Sequence, residues 1–228
     1  MLVLSLDTTT RGGSCAVARD AAVVRERAGD PLRSHDIRLP GDLMALLEDA
    51  GVALGEIDTF AVATGPGSFT GLRIGIATMQ GLAFAAGKPL IGVSAFEALA
   101  REAATTAPGR VATWIDAWRG EVYAALYEDG VEAQAPTIAS PAALLARLRG
   151  TRTRFIGDAA DIYRDVILDT LAADAVMADP VAPLLAGTIA RLAAQRANAG
   201  DRPAPHSIRP VYIRRAEAER ARDRRPVG

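Results

Sequence analysis

The chain has 228 residues, 50% of them hydrophobic and 23% charged, the balance of a globular protein with a substantial core. Its 26 basic and 27 acidic residues leave a formal net charge of −1, which excludes gripping nucleic acid by bulk electrostatics alone. A single cysteine, Cys15, excludes an internal disulfide and a cysteine-rich zinc site.

Residues 2–6 read as a buried strand. "TTTRGG" turns it into a second strand, "SCAVARD", and a short polar turn leads to a third, "AAVVRERA". Connections this short make the three strands an antiparallel meander. "DLMALLEDAG" then puts Leu43, Leu46 and Leu47 on one helix face, closed by Gly51. Strand "TFAVATG", a glycine-rich loop, a helix to about Ala86, strand "PLIGVS" and helix "AFEALAREAATT" follow. A meander followed by alternating helix and strand predicts a mixed α/β sheet. "TAPGR", residues 106–110, reads as a linker. Beyond it "VATWIDAW" and "GEVYAALYED" form a second hairpin that turns at Arg119–Gly120. Helix "SPAALLARLRG", strand "TRFIGD" and helical "ADIYRDVILDTLAA" complete this half. A strand pair thus opens each half and helices close each, with the second half shorter. The division falls at 1–107 and 108–228, the latter ending in an arginine-rich tail, "IRPVYIRRAEAERARDRR", that reads as a solvated segment. The first residues lack the basic and apolar regions of a signal peptide, and no apolar run reaches the ~18 residues of a membrane span. A cytoplasmic protein with no membrane contact is expected.

Asp7 closes the first strand and is followed by Thr8, Thr9 and Thr10. A carboxylate beside hydroxyls and a glycine turn can hold magnesium-bound phosphates, while the plainer alternative is a polar hairpin whose threonines satisfy turn backbone. Asp116, with Arg119 and Gly120, stands in the corresponding place of the second half. Two hairpins ended by aspartate suggest a duplicated fold with its cleft between them. The chain has two histidines, His35 and His206, and the residue four after His35 is Leu39. Without a histidine pair on one helix face, no metal site is expected. Ser68 is not in a G-x-S-x-G elbow, because residue 66 is proline, and Cys15 reads as an inert core residue.

The stretch "TGPGSFTGLRIGIATMQGLA", residues 64–83, resembles a phosphate loop running into a helix, yet Gly71 is followed by Leu72 and Arg73 rather than Lys and Ser/Thr. Gly71, Gly75 and Gly81, with Thr78 and Ala85, leave much of one helix side bare. Interior glycines cost ~1 kcal/mol each relative to alanine, so another element must approach the backbone closely. Leu72, Ile76 and Met79 add an apolar row that also needs cover. The stretch reads as built for packing, with a partner supplying part of the cover.

"LSLDTTT", "GPGSFTGLRIGIATMQGLA", "GVSAFEALA", "IDAWRGEVYAALY" and "PVYIRR" occur in this order along nearly the whole chain and together resemble the TsaB (YeaZ) family. The resemblance implies an actin-like ASKHA fold with two RNase H-like halves. It also implies a non-catalytic dimerisation subunit that pairs with a metal-bearing TsaD-type paralogue and works with a TsaE-type ATPase. Those complexes transfer a threonylcarbamoyl group to an adenosine beside the anticodon of ANN-reading tRNAs. Family members pair through the two helices near residues 35–50 and 70–86 and form homodimers when alone. Carried onto this chain, the partner interface comprises His35, Leu39, Leu43, Leu46, Leu47, Phe69, Gly71, Leu72, Gly75, Ile76 and Met79. A residual phosphate or nucleotide site would draw on Asp7, Thr8, Thr9, Asp116, Arg119 and Gly157. Gly157 is followed by Asp158 rather than a second glycine, which argues against an ATP loop, so no cofactor is expected. The alternative is a small ASKHA ATPase or phosphotransferase using Asp7 and Asp116.

Overall fold

A computed structural model describes residues 1–105 and 108–213. Strand β1 (Leu2–Asp7) pairs antiparallel with β2 (Ser14–Arg19), which pairs antiparallel with β3 (Ala22–Ala28). Helix α1 (His35–Ala50) leads to β4 (Thr59–Gly65), parallel to β1. Helix α2 (Phe69–Ala85) leads to β5 (Leu90–Ser94), parallel to β4, and α3 (Ala95–Ala104) follows. The second half repeats the plan. Strands β6 (Arg110–Asp116), β7 (Val122–Glu128) and β8 (Val131–Ala139) form an antiparallel meander. Helix α4 (Pro141–Ala146) and strand β9 (Thr153–Ile156), parallel to β6, come next. Then follow α5 (Asp158–Ile162), α6 (Arg164–Leu171), β10 (Ala175–Met177), which is parallel to β9, and α7 (Ala186–Asn198). The strand orders, β3-β2-β1-β4-β5 and β8-β7-β6-β9-β10, are the same path traced twice. Both sheets have five strands, so the second half is short in its helices and not in its strands. Thr106 and Ala107, in the segment read as a linker, lie outside the described residues, as does the tail after Ile213.

The period of two along each strand sorts side chains into layers. Leu2, Leu4 and Leu6 of β1 join Phe60 and Val62 of β4 in a core roofed by α1 and α2. Val3, Ala61 and Val93 face the other way, into a core shared with α3, α7 and the second sheet's Val111 and Ile115. Ala112 and Trp114 of β6 point into a third core under α4, α5 and α6. The result is helices, sheet, helices, sheet, helices in five layers. Helix α7 belongs to the second half in sequence but packs on β1, β2, β4 and β5 of the first. Its N-terminal amides are held there by the Ser14 hydroxyl, which accepts from Ala186 N at 3.0 Å, and by Glu26, which accepts from Gly187 N at 2.7 Å.

Residues 203–212 also return to the first sheet. Leu90 N donates to Pro203 O, Gln80 Nε2 donates to the carbonyls of Pro205 and Ile208, and Val211 N donates to Thr64 O at 2.8 Å. The start of the segment read as a solvated tail is therefore a strap running antiparallel along α2.

Candidate functional site

Two sequence features singled out above meet in one joint. Asp7 Oδ1 accepts from Thr9 N at 2.9 Å and from Thr9 Oγ1 at 2.7 Å, which closes the turn after β1. Thr9 O accepts from Ser68 N at 2.8 Å, and Ser68 Oγ caps α2 by accepting from Gly71 N at 3.1 Å. The turn lies in a groove of missing side chains. A Cβ at Gly67 would stand 2.6 Å from Thr9 Cα, one at Gly71 2.3 Å from Thr8 O, and one at Gly75 2.2 Å from Thr8 Oγ1. The close approach inferred from the glycines is real, but the backbone that approaches belongs to this chain. Gly71 and Gly75 are therefore internal packing positions and not partner contacts. Thr8 and Thr9 are buried in the same joint, and the Thr8 hydroxyl has no hydrogen-bond partner.

The same correction applies to most of the apolar residues assigned to the interface. Leu39, Leu43, Leu46 and Leu47 of α1 and Ile76 and Met79 of α2 are buried together over the first sheet, and Leu72 is buried beneath Gly65. A row of leucines at helical spacing fills a core first, at ~1.5–3 kcal/mol per buried side chain. His35 is likewise internal. Its Nε2 donates to Thr10 O at 3.0 Å, which leaves Nδ1 to accept from Arg38 Nη2 at 2.8 Å. Arg38 in turn pairs with Asp42 and donates to Gly12 O. Burial, then the Arg38 guanidinium, hold His35 below the usual imidazole range, so it is a neutral pin between α1 and the β1–β2 turn. With both ring nitrogens used, it has no lone pair for a metal, and no group of three or more metal-ligating side chains occurs among the described residues.

The surface that α1 and α2 do present is the opposite one. Ile37 is 67% exposed and Met44 63%, either side of Gly41; Phe84 of α2 is 80% exposed beside Ala77, Gly81 and Ala85. No atom lies within 4 Å of where a Cβ would stand at Gly41 or Gly81. Among the described residues, then, nothing offsets the helix-propensity cost that Gly81 bears. Of the interface residues named from the sequence, only Phe69 is exposed, at the N-terminal end of α2. Gly81 was singled out in the sequence as part of a bare helix side; Ile37, Met44 and Phe84 were not, although the spacing of seven from Ile37 to Met44 and of three from Gly81 to Phe84 could have marked an outer helix face.

The carboxylates gather in the cleft between the halves. Asp7 and Asp158 line a space of about 220 Å³ with Thr9, Thr10, Leu99 and Pro183. Asp116, at the end of β6, and Trp118 line its wider mouth with Arg11 and Ile162. Arg119 lies at the exposed hairpin tip with a φ of 59°. Asp158 Oδ1 accepts from Asp116 N at 3.0 Å and Ala159 N at 2.9 Å, tying β6 to the start of α5. Burial pushes the Asp158 carboxyl up to about 6, with Asp116 and Asp7 adding to the rise. Burial also raises Asp7, against the hydrogen bonds from Thr9.

A nucleotide without a bridging cation fits these residues poorly. No lysine or arginine lines the inner cleft, so a bare polyphosphate would meet desolvated carboxylates. Gly157 does not clear space for a ligand. A Cβ there would stand 2.0 Å from Trp114 O, so its bareness serves the packing of β9 on β6.

The family model described as "TsaD: tRNA N6-adenosine threonylcarbamoyltransferase" matches residues 30–222. The curated Escherichia coli "tRNA threonylcarbamoyladenosine biosynthesis protein TsaB" is 40% identical over 129 residues, 56% of this chain and 55% of that relative. The match thus spans about half of that protein's length. The structure of YeaZ from Pseudomonas aeruginosa superposes with a TM-score of 0.71 at 30% identity, covering 92% of this chain and 99% of the other. At 11% identity, component A of the Acidaminococcus fermentans (R)-2-hydroxyglutaryl-CoA dehydratase shares the fold, with a TM-score of 0.59 over 87% of this chain and 99% of that one. The architecture is the actin-like ASKHA fold. By the family match, and by the YeaZ and TsaB likenesses, the chain belongs to the tRNA N6-adenosine threonylcarbamoyltransferase family, on its TsaB (YeaZ) branch.

Proposed function

We propose that this chain is a non-catalytic subunit in the biosynthesis of threonylcarbamoyladenosine in tRNA, pairing with a TsaD-type subunit through the outward face of α1 and α2. The observation that carries this reading is the exposed apolar face of Ile37, Met44 and Phe84, with open backbone at Gly41 and Gly81. Large exposed side chains around bare helix backbone suit a facing helix that comes close. The curated relative named for the same biosynthesis supports the assignment. A TsaE-type ATPase and tRNA would join through the complex, in the cytoplasm, and the lone chain would self-associate through the same face. The inter-half cleft would hold no nucleotide, in keeping with its carboxylate lining.

Reconstitution tests the reading. The chain is mixed with TsaD-type and TsaE-type subunits of its own organism, threonylcarbamoyl-adenylate and unmodified tRNA. Modified nucleoside should form with the chain present and collapse without it, and the chain alone should form none. Equal product without the chain contradicts the proposal. Micromolar Mg-ATP binding by calorimetry, with steady hydrolysis by the pure chain, favours a phosphotransferase using Asp7 and Asp116 instead.

A further inference from the structure

The flank of α2 that carries the strap has a charge and ring pattern that the helix-face docking does not use. Residues 59–96 contain Arg73 and Lys88 and no aspartate or glutamate, and residues 202–213 add Arg202 and Arg209 with no acid. This is a local excess of cations in a chain whose net charge is −1. Among the described residues none of these four side chains is in an ion pair. Arg202 donates to the carbonyls of Ala197 and Asp201, and Arg209 to those of His206 and Ile208. Among the described residues no carboxylate neutralises them, and the carbonyls orient Arg202 and Arg209.

The strap's contacts order these cations along the helix. It begins near Leu90, crosses Gln80 and reaches Thr64, so Arg202 and Lys88 lie toward one end, Arg209 between, and Arg73 at the other. Seventeen helical residues make that line roughly 25 Å long. Its Arg73 end carries a ring cluster. Phe69 and Tyr212 stand 5.1 Å apart, the Arg73 guanidinium lies 3.9 Å over the Phe69 ring, and Arg73 Nε donates to the Tyr212 hydroxyl at 3.0 Å. All three side chains are exposed.

We propose that this strap flank binds a single-stranded segment of RNA. Exposed rings with a stacked guanidinium offer a platform for an unpaired base, and a line of unneutralised arginines follows a phosphate backbone. An acidic protein segment would use the cations but not the ring faces. In sequence, residues 214–228 hold six arginines against three acids. The inference rests on the tRNA role proposed above and names the surface that meets the RNA.

Fluorescence anisotropy of the full chain with a labelled, unmodified anticodon stem–loop tests it, using Tyr212→Ala, Tyr212→Phe and Arg209→Ala. Thermal melts establish that each variant is folded. Tyr212→Ala should weaken binding by about 5-fold or more, while Tyr212→Phe, which keeps the ring and loses only the hydroxyl, should bind nearly as wild type. Arg209→Ala should reduce the slope of log affinity against log salt by about 0.7. Variants that bind like wild type, or a wild-type chain that binds no RNA at low salt, overturn the inference. Displacement of the RNA by polyglutamate as readily as by unlabelled RNA overturns it in favour of an acidic protein partner. The reconstituted modification assay is scored separately. Wild-type activity with unaffected RNA binding in the variants sinks only this inference, whereas modification that proceeds without the chain sinks the tRNA role itself.

Discussion

The same substitution at two glycines of α2 should have opposite effects. At Gly75 a new methyl would stand 2.2 Å from Thr8 Oγ1, 3.0 Å from Thr8 Cγ2 and 3.2 Å from Thr8 Cβ. Rotating Thr8 exchanges one close atom for another, and Thr8 is fully buried, so the turn itself must shift. Overpacking of this kind costs ~1–3 kcal/mol, and the gain in helix propensity returns only ~1 kcal/mol. The 2.2 Å approach puts the cost in the upper part of that range, so Gly75→Ala should lower stability by roughly 1–2 kcal/mol, or about 2–8 °C in Tm for a chain of this size. At Gly81 nothing lies within 4 Å, so Gly81→Ala should gain ~1 kcal/mol and raise Tm by roughly 2–4 °C. The assay is thermal and urea melting at low protein concentration in a Met44→Glu background, which keeps self-association through the outward face from adding to either value. A Gly75→Ala chain as stable as its parent would refute the internal joint between Thr8 and α2. A destabilised Gly81→Ala chain would refute the open backbone on the outer face.

Asp158, pushed up to about 6, holds its proton more tightly when folded than the unfolded chain does, so stability falls as pH rises from about 4 to 6 and the full penalty persists above that. Asp158→Asn, which can still accept from Asp116 N, should be more stable than wild type at pH 8 by on the order of 1–3 kcal/mol and nearly equal to it at pH 4, as read by urea melts. His35 has the opposite linkage. Its folded pKa is lowered, so the unfolded chain takes up the proton first and His35 contributes a loss of stability as pH falls below about 6.5. His35→Phe should be less stable than wild type at pH 8 by ~1–3 kcal/mol for the lost tie to Thr10 O, with the gap narrowing by pH 5.5. Ending the chain after Ile213 should leave Tm unchanged, whereas ending it after Asp201 removes the strap's bonds to Gln80 and Thr64 and should cost roughly 2–4 kcal/mol.

The duplicated plan was legible because strand ends and turns leave local marks. Leu2, Leu4 and Leu6 alternate with Val3 and Ser5, and Asp7 and Asp116 close equivalent strands, so the first meander, the second hairpin and the cleft between them follow from the sequence. Strand β8 was not legible, because an edge strand with Pro136 and polar neighbours lacks the buried alternation that marks a core strand. Helix α7 was not read from the sequence: its apolar positions are mostly alanines, and what makes them core is the fold, which buries most of the helix between the sheets. The leucine spacing marked only the later turns of α1; its first turns carry Pro40 and Gly41, and there His35 and Arg38 hold the helix to the β1–β2 turn. The glycine-rich side of α2 was read correctly as a place where backbone comes close. Which backbone comes close is a long-range fact, since Thr8 lies more than 60 residues earlier in the chain than Gly71 and Gly75. The residues assigned to a partner from the sequence therefore fell mostly on the buried side, and the exposed side at Gly81 emerged only with the fold.

Native mass measurement of this chain with the TsaD-type subunit of its own organism tests the central claim most directly, comparing wild type, Gly81→Glu, Met44→Glu and Asp7→Asn. A 1:1 heterodimer should form with wild type and with Asp7→Asn, whose carboxylate lies in the cleft and away from the face. The two charged variants, changed only on the outer face, should lose at least about tenfold in affinity, as ~1.4 kcal/mol or more of lost packing implies. A heterodimer that survives both charges undiminished, or one that disappears with Asp7→Asn alone, would contradict the account.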